Sequence, residues 1–111
     1  MLEEKTWTKM MQESFTHLGE TDEVEAALRA DVERAKKKME STFKITAASA
    51  VGTVLEREAF AHESKKYKAA EDDWLEALRA HSALKNQRST DVYTIDIWRS
   101  LNAARNKGQI V

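Results

Sequence analysis

Cysteine and proline are absent from this 111-residue chain, glycine occurs three times, and aromatic residues make up only 7% of it. Without cysteine there is no disulfide framework, no thiolate nucleophile and no thiolate zinc site, which suits a reducing compartment. Without proline, no helix is interrupted by a missing backbone donor. The glycines stand singly, at Gly19, Gly52 and Gly108, so the chain has neither a phosphate-cradling glycine loop nor a nucleophile elbow. Long apolar runs are missing too. The opening MLEEKTWTKMMQESF is acidic and amphipathic, unlike a signal peptide or a membrane span, and the expected location is the cytoplasm.

What remains is rich in Ala, Glu, Lys and Arg, residues that favour helices and give a sheet little to work with. The expected fold class is all-α, with residues 1–111 forming one helical domain. Charged residues reach 33% against 41% hydrophobic, so each helix must turn much of its surface to water and keep a narrow apolar stripe. Narrow stripes favour packing of the coiled-coil kind. The net charge of −1 conceals an asymmetry: residues 1–33 hold nine acids and three bases, the rest ten acids and fifteen bases. An acidic head thus precedes a mildly basic body, which fits head-to-body docking between copies, an anionic partner, or merely a solvated surface.

Three helical segments follow from the punctuation. Trp7, Met10, Met11, Phe15 and Leu18 recur at spacings of one to four and mark an N-terminal docking helix over 1–19, with Gly19 as its stop. Thr21 then caps a second helix over 20–50, whose stripe is Val24, Leu28, Val32, Ala35, Met39 and Phe43. Propensity leaves open whether STFKITAASAVGTV extends that helix or forms a loop. After Gly52, the run Thr53-Val54-Leu55-Glu56 is a capping box and starts a third segment, long or kinked, over 53–106.

The third segment carries a heptad. With a at 60, 67, 74, 81, 88 and 95 and d at 63, 70, 77, 84, 91 and 98, its seam contains Phe60, Tyr67, Ala70, Trp74, Ala77, Leu84, Ile95 and Trp98. Glu63, His81, Arg88 and Asp91 interrupt it, while Leu78 and Leu101 flank it. Large a residues against small d residues imply a long helical hairpin, with the second helix folded back antiparallel as one partner and a C-terminal helix beyond. Because so slender a chain cannot cover every apolar ridge, Phe60, Tyr67, Trp74, Ile95, Trp98 and Leu101 are the expected contacts of a homo-oligomer.

Catalytic chemistry finds no foothold. His17, His62 and His81 are too far apart for a His-x-x-x-His or Glu-x-x-His site, and no metal or other cofactor is expected. Glu71, Asp72 and Asp73 are consecutive, so a helix points them in different directions and they do not form an acid and base pair. We expect no enzyme. Basic residues are more informative: Lys36, Lys37 and Lys38 with Lys44; Lys65 and Lys66 with Lys68; and Lys85, Arg88, Arg99, Arg105 and Lys107. Such clusters hold phosphates, weakly in one copy and more firmly when identical subunits repeat them. Candidate DNA contacts are therefore Lys36, Lys37, Lys38, Lys65, Lys66, Arg88, Arg99, Arg105 and Lys107.

The stretch AVGTVLEREAFAHESKKYKAAEDDWLEALRAHSALKNQRSTDVYTIDIWRSLNAARNKG resembles a group of small helical proteins of tailed bacteriophages. The resemblance rests on Gly52, Thr53, Val54, Glu56, Arg57 and Ala59 in the turn, then Tyr67, Leu84 and Arg88, and on Arg99, Asn102, Ala103 and Arg105 near the end. It covers about half of the chain and excludes the acidic first helix. The arrangement is also similar to the recombination mediator of T-even phages, an oligomeric helical protein that binds single-stranded DNA and loads a recombinase in place of a single-strand-binding protein. That resemblance implies a non-catalytic phage accessory factor of DNA recombination or replication, in the cytoplasm of a bacterial host, with single-stranded DNA and a recombinase as partners. A competing expectation is a phage inhibitor of a host defence or nuclease that presents the acidic first helix as a DNA mimic; a third is a purely structural oligomer.

Overall fold

The computed structural model describes residues 3–110, with side chains to residue 107. Those residues form three helices and no strand: α1 (Glu4–Ser49), α2 (Val54–Glu63) and α3 (Lys65–Ile110). The fold is all-α. It divides into two compact units, the first made by the residues up to Glu25 with those from Ala83 on, the second by Ala26–Ser82.

In the first unit, α1 and α3 run antiparallel, as four pairings show. Arg105 binds the Glu4 carboxylate, Trp98 Nε1 donates to Thr8 Oγ1 at 3.2 Å, His17 Nδ1 meets the Asp91 carboxylate, and Arg88 donates to Thr21 Oγ1 at 2.7 Å. The covered face of α1 is Trp7, Met11, Ser14, Leu18 and Thr21, spaced alternately four and three apart. On α3, Leu84, Arg88, Asp91, Ile95, Trp98, Asn102 and Arg105 are covered, so the a and d register expected from the heptad holds through this unit.

Two sequence expectations fail here. Gly19 does not stop a helix, and the docking helix over 1–19 is continuous with the segment expected over 20–50. Packing explains this: Leu18 and Thr21 flank Gly19 on the covered face, and a break would throw one of them out of register. Nor does Thr21 cap a helix; its hydroxyl donates to His17 O at 2.7 Å and receives Arg88. Arg88, read as an interruption of the seam, is bound into it. Its stem lies among covered residues while the guanidinium reaches Leu18 O at 2.9 Å, Thr21, and Asp22 Oδ1 at 2.6 Å. Residues 85–91 continue the helix without a break.

The second unit holds the turn. The helix that propensity left undecided runs on to Ser49, and Gly52 reverses the chain with φ +126°, a conformation that side chains rarely adopt. A Cβ at Gly52 would collide with the Glu56 carboxylate and press on its stem at 3.2 Å. Thr53 then caps α2 as expected, its Oγ1 accepting the Glu56 amide at 3.2 Å. The long segment over 53–106 is not one helix, because Ser64 divides it. Its backbone is extended, its amide donates to Ala61 O at 3.2 Å to close α2, and its Oγ accepts the Tyr67 amide at 3.2 Å to open α3. One serine serves both ends. The break takes Phe60 off the seam, whereas Ala61 is wholly buried. Beyond it, Tyr67, Ala70, Trp74 and Ala77 are covered on α3, and Leu28, Val32, Ala35 and Met39 on α1. Trp74 Nε1 is buried without a hydrogen-bond partner.

Two helices touching along one strip enclose little. Among the described residues the buried apolar ones are Ala61, Ala70, Leu84 and Ile95, and no large side chain is fully buried. Phe15, Val92, Tyr93, Ile97 and Leu101 of the first unit stay exposed, as do Ile45, Val51, Val54, Leu55 and Phe60 of the second. Burying such a side chain contributes about 1.5–3 kcal/mol, and most of that contribution is unused within the described chain.

Candidate nucleic-acid interface

The basic residues sort into two groups once their partners are known. In the first unit, Arg88 and Arg105 are engaged by α1, through Asp22 and Glu4. Those carboxylates compensate both charges, and Arg88 is held further by the Leu18 carbonyl, so these two expected DNA contacts are less free to meet a phosphate than an unpaired lysine. Arg99 lies 4.0 Å from Asp96, both exposed, a pairing of little consequence. Lys107 is exposed in the last turn of α3, where a cation suits the helix terminus.

The second unit differs. Its stretch 34–68 contains nine bases and four acids, a net charge of +5. Lys36, Lys37, Lys38, Lys44, Lys65 and Lys66 are all exposed, and none makes an ion pair among the described residues. Of the other bases in that stretch, Arg34 is paired to Asp31 at 3.1 Å and Lys68 to Glu63 at 3.5 Å. Successive helical residues diverge by about 100°, so Lys36, Lys37 and Lys38 form a collar around α1 rather than a line. Lys65 and Lys66 occupy the first turn of α3, which contains no acid. Cations are unfavourable at a helix N-terminus, and an anion placed there relieves both the dipole and the lysines.

Aromatic rings stand among these lysines. Phe43 of α1, His62 in the last turn of α2 and Tyr67 in the first turn of α3 pack as a trio, with centroid separations of 4.7 Å (Phe43 to His62), 5.7 Å (Phe43 to Tyr67) and 5.2 Å (His62 to Tyr67). They wall an open cavity of about 400 Å³ completed by Met39, Glu40 and Lys44. The Tyr67 hydroxyl is raised above its ordinary pKa, first by burial and then by the charge of Glu71 and its hydrogen bond to that carboxylate. Phe60 projects from α2 with 58% of its surface exposed. Basic side chains interleaved with aromatic faces are the components of a single-strand platform, the lysines tracking phosphates and the rings stacking bases.

The residues expected at an oligomer interface also divide. Ile95 is 7% exposed within its own chain, Trp98 gives its indole N–H to Thr8, and Tyr67 and Trp74 lie half-buried on the covered face of α3. These four join helices of the same chain. Phe60 and Leu101 remain exposed. The ring trio is not signalled by the sequence, where Phe43 belongs to the core stripe of the second helical segment and His62 has no partner at metal-ligand spacing. The turn at Gly52 and the break at Ser64 bring residues 43, 62 and 67 together, which no local sequence signal announces. Among the described residues no group of three or more His, Asp or Glu could hold a metal ion, and no helix is long and apolar enough to cross a membrane. No family model matches the chain, and no curated protein or solved structure matches it either.

Proposed function

We propose that this chain is a non-catalytic, self-associating accessory factor of phage DNA recombination or replication that binds single-stranded DNA weakly, copy by copy, and assists the loading of a recombinase. The observation that carries the reading is the set of unpaired lysines on the second unit, Lys36, Lys37, Lys38, Lys65 and Lys66, beside the exposed ring of Phe60 and the trio at Phe43, His62 and Tyr67. These five exposed cations, clustered at 36–38 and 65–66, repel within each cluster, and a polyanion is the partner that removes the repulsion. Self-association is supported by the exposed apolar residues of the first unit, Phe15, Val92, Tyr93, Ile97 and Leu101, which two helices leave uncovered. Multiple copies would turn a few weak phosphate contacts per subunit into useful affinity.

Fluorescence anisotropy with a labelled oligothymidylate across a salt series is the test. Five lysine–phosphate contacts give a log–log salt slope of about −3 to −4 on single strands. Replacing Lys36, Lys37 and Lys38 together with glutamine should lower that slope by about 2, while leaving helicity unchanged because all three are exposed. Binding that is absent, or insensitive to salt, would refute the DNA reading and favour a protein-binding inhibitor. Solution mass supplies the second half: a monomer at micromolar concentration would remove the self-association.

A further inference from the structure

We infer that the cavity walled by Phe43, His62 and Tyr67 is a nucleobase site, and that Glu40 makes it prefer guanine. The inference rests on the DNA reading for its setting but on separate observations for its chemistry. Three elements meet at the cavity: α1 contributes Met39, Glu40, Phe43 and Lys44, α2 contributes His62, and α3 contributes Tyr67. Its volume of about 400 Å³ lies within the range of small-molecule sites, which are apolar concavities carrying a few convergent polar groups.

The polar groups decide the ligand. Glu40, Lys44 and His62 make no hydrogen bond or ion pair among the described residues, so a carboxylate, an ammonium and an imidazole face the cavity uncommitted. A wholly apolar ligand would desolvate them without replacement, which disfavours it. A planar heterocycle bearing a phosphate answers each feature: its π face stacks on the rings, its phosphate meets Lys44, and its polar edge meets Glu40. Among the bases, guanine presents N1–H and the N2 amino group side by side, two donors that match the two oxygens of a carboxylate. Adenine and cytosine offer one amino group there. Thymine flanks its single N–H with carbonyl oxygens, which a carboxylate repels, and a site built around a specific donor pair rejects bases that lack it.

The experiment is an NMR titration of the full chain with guanosine 5′-monophosphate and, separately, thymidine 5′-monophosphate, following the ring protons of Phe43, His62 and Tyr67. The guanine nucleotide should shift all three rings and bind at least about fivefold more tightly than the thymine nucleotide. Glu40→Gln should abolish the preference, and Lys44→Gln should weaken both nucleotides alike. Both positions are exposed, so neither variant threatens the fold. The inference is overturned if the guanine nucleotide leaves the rings unperturbed, if it binds no better than the thymine nucleotide, or if Glu40→Gln keeps the preference. Oligothymidylate binding in the same preparation separates the two proposals. Salt-dependent oligonucleotide binding with no response to the mononucleotides removes the base site alone, whereas a Glu40-dependent guanine preference without oligonucleotide binding removes the DNA reading alone.

Discussion

Arg88 separates a structural cation from a DNA contact, and its replacement by methionine tests which it is. Methionine keeps an unbranched apolar stem in the seam and deletes the guanidinium, and with it the bonds to Leu18 O, Thr21 Oγ1 and Asp22 Oδ1. The magnitude follows from where each bond lies. Asp22 is two-thirds exposed, so its ion pair contributes about 0.2–1 kcal/mol. The Arg88 side chain is 22% exposed, and a hydrogen bond to a charged group contributes about 1.5–3 kcal/mol net, most where its loss orphans a partner. Here the Leu18 carbonyl lies inside continuous α1 and the Thr21 hydroxyl keeps its bond to His17 O, so neither is orphaned and the loss falls at the low end. Arg88→Met should therefore cost about 1–2 kcal/mol, and Arg88→Ala about 1 kcal/mol more through the lost stem. Urea denaturation followed by far-ultraviolet circular dichroism measures this as a lower midpoint at an unchanged slope. Asp22→Asn should reproduce only the smaller, salt-sensitive part. An unaltered midpoint for Arg88→Met, together with weakened oligonucleotide binding, would refute the structural assignment and return Arg88 to the DNA-contacting residues.

Three further outcomes are expected. Gly19→Ala should stabilise the chain by about 0.5–1 kcal/mol, read as a higher melting temperature, because Gly19 lies inside α1 and a Cβ there meets nothing within 4 Å. Gly52→Ala should destabilise it by about 1–3 kcal/mol in the same assay, because φ is +126° and the new Cβ would press on Glu56. Tyr67 carries an alkaline signature: its folded pKa lies above the 10.0 of the unfolded chain, so between those values the folded state holds more protons and stability falls as pH rises. Melting temperatures measured from about pH 9 upward should therefore drop less steeply for Tyr67→Phe than for the parent; equal slopes would contradict the assigned burial and the Glu71 contact.

Much of the architecture was legible without coordinates. The absence of proline and the excess of Ala, Glu, Lys and Arg specify helices, and the heptad through Tyr67, Trp74, Leu84 and Ile95 names the covered face of α3, because side-chain direction in a helix follows from spacing alone. The cap at Thr53 was legible for the same reason: a hydroxyl three residues before a free amide is a local geometry. Gly19 continues the helix instead of stopping it because local preference is weak beside packing. A glycine inside a helix costs about 1 kcal/mol against alanine, which a continuous covered face readily exceeds.

The partners of the basic residues could not be read at all, since Arg88 and Lys66 look alike until α1 is seen to engage one and leave the other in water. By itself the sequence determined that the chain is helical and which faces must be covered, through the periods of backbone geometry. Tertiary structure alone decided that residues 43, 62 and 67 share one cavity and that the uncompensated charge gathers in the second unit. Both depend on contacts between residues distant along the chain, where only the three-dimensional path sets which side chains meet.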